Sequence, residues 1–124
     1  MFWRCECAML KIKNSLTKSA VTEIKSIHEK SRLLNSSGKI KHAEVLLELM
    51  REHIREVGEL VRGHNPHFLV ETGDLAVLCL ELMLESGVSP DEMLDKCYQR
   101  YHKKLDFLLK SQKSGNKHQD KQEK

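Results

Sequence analysis

Glu56-Val57-Gly58-Glu59-Leu60-Val61-Arg62-Gly63-His64-Asn65-Pro66-His67-Phe68-Leu69-Val70-Glu71-Thr72-Gly73-Asp74 is the stretch on which the fold turns. Its two ends each carry an acidic pair spaced i, i+3, Glu56/Glu59 and Glu71/Asp74, and on a helix that spacing puts both carboxylates on one face about a turn apart. Between them Gly63-His64-Asn65-Pro66 breaks the helix and lets the chain fold back. At ~1.5 Å rise per residue the pairs stand roughly 6 Å and 8 to 12 Å from that turn, so they fall at overlapping heights on two antiparallel helices. With axes about 8 to 10 Å apart, the four carboxylates can converge on one point. Four anionic oxygen donors repel one another unless cations lie between them, and hard oxygen ligands suit Mg²⁺ or Mn²⁺. The stretch therefore predicts a metal site built across a helical hairpin.

The helices extend outward from this hairpin in both directions. Upstream, Ile40, Ala43, Leu47, Met50, Ile54, Val57 and Val61 step by three and four along a helix expected over about 39 to 62. Val45, Leu49, Glu56 and Leu60 form a second stripe on the same helix, flanked by Glu52 and Glu59, while Arg51, Arg55 and Arg62 take the wet side. A helix with two apolar stripes packs on two sides. Downstream, about 67 to 86 is apolar nearly all round, which marks a central helix, and its acidic stripe is Glu71, Asp74, Glu81 and Glu85. Gly73 costs this helix about 1 kcal/mol of propensity. Close approach of a neighbouring helix is the expected reason to keep it.

A further helix precedes the pair, about 18 to 34, with Ala20, Ile24, Ile27, Ser31 and Leu34 along one side and Asn35-Ser36-Ser37-Gly38 ending it. Another follows: Gly87 closes the central helix, Ser89 is placed to cap the next, Pro90 suits a first helical position, and Glu92 completes a capping box. That last helix carries Leu94, Tyr98, Tyr101, Leu105 and Leu108 on one face and is expected to end near residue 111. The expected architecture is all-α: an irregular segment over 1–16, one helical domain over 17–111 and a disordered polar tail over 112–124. Four helices on short turns make a four-helix bundle, and the surplus apolar surface of the central helix calls for completion by oligomerisation.

Composition agrees with a helical domain. The chain has 124 residues, 40% hydrophobic and 31% charged, with only 6 Gly and 2 Pro. A net charge of +3, part of it in the tail, is too small to argue for a nucleic-acid polymer as partner. No apolar run approaches a membrane span, and Met1 to Leu10 lacks the apolar core of a secretory signal. Among four cysteines, Cys5-Glu6-Cys7 has no second ligand pair at zinc-site spacing and Cys79 lies in an apolar run, so a reducing cytoplasm is the expected setting.

The paired motif, Glu-Val-Gly-Glu-Leu, a short turn, then Glu-Thr-Gly-Asp-Leu entering an apolar helix and a Gly-bounded turn, resembles the MazG family of all-α nucleoside triphosphate pyrophosphohydrolases. That superfamily also holds dimeric dUTPases and phosphoribosyl-ATP pyrophosphatase. The resemblance covers about residues 40 to 104. It implies that Glu56, Glu59, Glu71 and Asp74 coordinate Mg²⁺, that a nucleoside triphosphate is hydrolysed to the monophosphate and pyrophosphate, and that the chain works as a homodimer or homotetramer. Many members carry a further Glu directly before the first pair, where this chain has Arg55.

Lys96, Arg100, Lys103 and Lys104 follow helical spacing on the last helix and are candidates for holding the leaving pyrophosphate; the family commonly has a lysine where Lys96 stands. Trp3 and Phe2 could stack on a base. Two alternatives to a pyrophosphohydrolase of surplus or non-standard nucleotides remain: a phosphoribosyl-ATP pyrophosphatase-like enzyme, and a non-catalytic helical oligomeric interaction protein that keeps the fold, made thinkable by Arg55.

Overall fold

A computed structural model describes residues 16–123. The N-terminal segment with Trp3 and the Cys5-Glu6-Cys7 triplet lies outside the described residues. Four helices follow in order: α1 (Lys18–Leu34), α2 (His42–Arg62), α3 (Phe68–Glu85) and α4 (Pro90–Glu123). The fold is all-α, and among the described residues there is no strand. No helix among them is long and apolar enough to cross a membrane. The described chain falls into two compact units, one over Leu16–Asp91 and the other from Glu92 onward.

The first unit is a bundle of α1, α2 and α3. Thr17 caps α1, its Oγ1 accepting from the Ala20 amide at 3.1 Å. Helix α3 packs against both α1 and α2, the central position that its all-round apolar character predicts. The core is small. Ile24 on α1, Leu46 on α2 and Leu78 on α3 are its buried apolar members, and Glu81 on α3 is buried with them at 4% exposure. Glu81 Oε1 has no hydrogen-bond partner among the described residues, a defect that ordinarily costs about 1–3 kcal/mol.

The inner face of α2 is rotated from the apolar seam read in the sequence. Leu46 is fully buried and Met50, His53, Val57 and Leu60 are half-buried, while the seam residues Ile40, Ile54 and Val61 are 64%, 57% and 46% exposed. A polar residue, His53, thus sits on the packed face, and an apolar edge stays open beside it.

The turns that follow α2 and α3 are built in the same way. After α3, Gly87 takes φ 78°, the Gly87 amide donates to the Leu84 carbonyl and the Val88 amide to Met83, which closes the helix with a left-handed residue. After α2 the pattern repeats: the His64 amide donates to Val61 and the Asn65 amide to Leu60. Here the left-handed residue is His64, φ 55°, rather than Gly63, whose φ is −85°. Asn65 Oδ1 then accepts from the His67 amide at 3.0 Å, which turns the chain into α3. The break falls where the sequence predicts it, one residue later than its glycine.

Gly73 differs from expectation. A Cβ there would meet nothing within 4 Å, and the residue lies on the exposed side of α3, so within this unit no neighbouring helix requires it.

Helix α4 starts at Pro90 as expected, with the Ser89 hydroxyl donating to the Asp91 carboxylate and Pro90 fully buried. It continues to Glu123, past residue 111, where the sequence reading expects helix to give way to a tail. From Tyr98 to Ser114 every residue is exposed, the Tyr98/Tyr101/Leu105/Leu108 stripe included.

Candidate metal centre

The α2–α3 hairpin brings His53, Glu71 and Asp74 together. One ligand atom from each lies within 4.8 Å of the others. His53 Nε2 is 3.4 Å from Glu71 Oε2 and 3.9 Å from Asp74 Oδ2. The other oxygen of Glu71 faces His67 Nε2 at 3.5 Å. Glu71 is well covered, with 15% of its side chain exposed, whereas Asp74 opens to solvent at 60%. The centre therefore has a covered floor and a wet rim.

His53 explains how the pocket can be charged. Its Nδ1 donates to the Leu49 carbonyl one turn back at 2.8 Å. In the neutral ring this leaves a lone pair on Nε2, aimed at two carboxylates. Lone pair against carboxylate is repulsive, so the arrangement calls for a positive charge at Nε2: a second proton on the ring or a cation shared by all three groups. Anchoring one ring nitrogen on a backbone carbonyl while the other faces a ligand site is how metal-binding histidines are held. This donor set fits a divalent cation.

Glu56 and Glu59 stand apart from that cluster. Glu56 is half-buried on α2 and belongs to no group of three converging ligands among the described residues. Glu59 is exposed and accepts from Arg55 Nη1 at 2.9 Å. The reason is angular. His53 lies nearer the middle of the packed face of α2 than Glu56, and Glu59 turns further away still, to the side where Arg55 reaches it. Arg62 folds back across Gly58, where an added Cβ would come within 3.2 Å of its guanidinium, so two cations border the acidic pair.

His53 has no second histidine three or four residues away on its own helix. Its signal was its spacing: three residues before Glu56, and at the height of Glu71 and Asp74 once the hairpin is folded. His67, four residues before Glu71, carries the same signal on α3.

Lys96, Arg100, Lys103 and Lys104 belong to the second unit and are all exposed. Arg100 and Lys104 flank the Tyr101 ring at 5.7 and 5.8 Å from its centre, cation–π contacts that orient both side chains along the helix. Cys79 on α3 is half-buried, and burial pushes its thiol above the ordinary range, the behaviour of a packing residue rather than a nucleophile.

Comparison of the chain with family models, with curated proteins and with solved structures gives no match.

Proposed function

We propose that the protein is a divalent-metal-dependent nucleoside triphosphate pyrophosphohydrolase of the MazG-like type, acting at the α2–α3 hairpin. The observation that carries the reading is the convergence of His53, Glu71 and Asp74 at one point of that hairpin, with the His53 ring anchored so that Nε2 faces the two carboxylates.

Glu71, Asp74 and His53 Nε2 would hold Mg²⁺ or Mn²⁺, with Glu56 and Glu59 completing the set from α2 once side chains rearrange around the ion. When bound, such an ion neutralises phosphate oxygens and lowers the pKa of a water aimed at the scissile phosphorus. The chain's own residues do the rest. Glu71, covered and contacted by His53 and His67, fixes the floor of the pocket. Asp74, exposed and 3.9 Å from His53, is the acid best placed to accept a proton from an incoming water. Arg55 and Arg62 beside the acidic pair supply positive charge for the leaving pyrophosphate, and Lys96, Arg100, Lys103 and Lys104 are further candidates for that role. A homodimer or homotetramer covers the open apolar edge of α2.

A second reading is favoured by one observation, the ion pair of Arg55 with Glu59, which occupies a would-be ligand. In that reading the chain is a helical interaction protein without turnover. The two separate cleanly when pyrophosphate release is measured on a panel of standard and modified nucleoside triphosphates and phosphoribosyl-ATP, with and without Mg²⁺ or Mn²⁺. Metal-dependent release that falls by at least two orders of magnitude in Glu71→Gln and Asp74→Asn is expected. Absence of release on every substrate favours the interaction protein, and release on phosphoribosyl-ATP alone narrows the enzyme to that step.

A further inference from the structure

We propose that His28, His42 and Glu85 form a second cation site, selective for a zinc-like ion, where the last turns of α1, the first residue of α2 and the last residue of α3 meet. It is independent of the acidic hairpin and of the activity proposed there.

The geometry is that of a three-ligand centre. One atom from each of the three side chains lies within 4.8 Å of the others. His28 Nε2 is 2.9 Å from Glu85 Oε1, and these side chains are only 12% and 16% exposed. The two imidazoles stand 5.8 Å apart, tilted by 47°, so both rings border one small space. Zinc bonds of about 2.0–2.2 Å require only rotamer adjustment of these donors around an ion.

The donors set the choice of metal. Two imidazoles and one carboxylate form a softer set than an all-oxygen pocket and select Zn²⁺, Co²⁺ or Ni²⁺ over Mg²⁺. His42 is prepared for this role. The Asn35 amide lies 3.0 Å from its Nδ1 and the Ser31 hydroxyl 3.1 Å from its Nε2. The two contacts hold the ring from both nitrogens, and metal binding would exchange one of these partners while the other keeps the ring in place. Ligation at His28 Nε2 would replace its hydrogen bond to Glu85 with a bond from each side chain to the ion.

Beside the cluster opens a cavity of about 890 Å³, and His42, Glu85, Asn35, Arg32 and Lys41 line it. It provides an entry path and room for a fourth ligand. Arg32 Nη1, 3.6 Å from Glu85 Oε1, is the competing cation, but its side chain is 60% exposed and free to swing out. Because the ligands come from three helices, the ion would clamp a bundle whose buried apolar core is small.

Zn²⁺ and Co²⁺ titrations of the full chain test this, followed by calorimetry, thermal melting and the cobalt d–d spectrum. One ion per chain is expected at this site, with a melting point raised by about 5 °C or more at saturation and a tetrahedral cobalt spectrum without thiolate charge-transfer bands. His28→Gln and His42→Gln should each weaken binding at least tenfold, whereas Glu71→Gln should not. Should a variant fail to fold, imidazole NMR of the wild-type chain decides: one equivalent of Zn²⁺ must shift the His28 and His42 ring signals. Binding that leaves those signals unmoved, shows only thiolate ligation, or survives both substitutions overturns the site.

Discussion

The His53 ring is fixed at one nitrogen by the Leu49 carbonyl and presents the other to Glu71 and Asp74, so a residue with no acidic character decides where the acids meet. His64 shows the same economy in the backbone. It is the left-handed residue that lets α2 reverse into α3, a conformation that costs an L-residue about 1–2 kcal/mol and a β-branched one most of all. His64→Gly is therefore expected to leave stability unchanged or slightly higher, and His64→Val to lower it by about 1–2 kcal/mol. Urea unfolding of both variants checks this. Equal stability of the two would mean that the turn does not need the left-handed residue.

On α3, Gly73 is a helix-interior glycine with open space where its Cβ would be. Gly73→Ala should then raise stability by about 1 kcal/mol, read from the midpoint of thermal or urea unfolding. A loss instead would mean that a second copy packs against that side of α3. The helices themselves were legible. The predicted spans of about 18–34 and 67–86 match α1 and α3 to within a residue at each end, because Thr17, Asn35, Asn65-Pro66 and Gly87 punctuate them. The start of α4 was legible for the same reason. Its far end was not: the lack of any hydrophobic residue beyond Leu109 and the Ser114-Gly115-Asn116 stop signal both point to a tail, yet the helix runs on to Glu123. For the site, periodicity placed Glu71 and Asp74 on a common face. It did not reveal His53, because ranking faces of α2 by apolar content alone turns the helix toward Ile54 and Val61 and away from the face that packs.

That rotation matters for the whole molecule. Ile54 and Val61, seven residues apart on α2, remain largely exposed, and Leu69 and Val70 add to the uncovered surface on α3 at 64% and 53%. Large apolar residues left exposed on both helices of a hairpin ordinarily mark a surface that meets a partner. Sedimentation velocity of the full chain is expected to show a homodimer or larger species. Ile54→Glu should shift it to monomer while leaving the helical circular dichroism intact. A wild-type chain that sediments as a monomer at high micromolar concentration would leave this edge to a different protein.

Everything about activity rests on a cation shared between α2 and α3, and Mn²⁺ reports on it directly. Pulsed EPR of Mn²⁺ bound to the full chain should show a directly coordinated nitrogen, lost in His53→Gln, with Glu71→Gln weakening binding at least tenfold, about 1.4 kcal/mol. Mn²⁺ that binds without nitrogen coupling, or that keeps it in His53→Gln and ignores Glu71→Gln, would contradict the account.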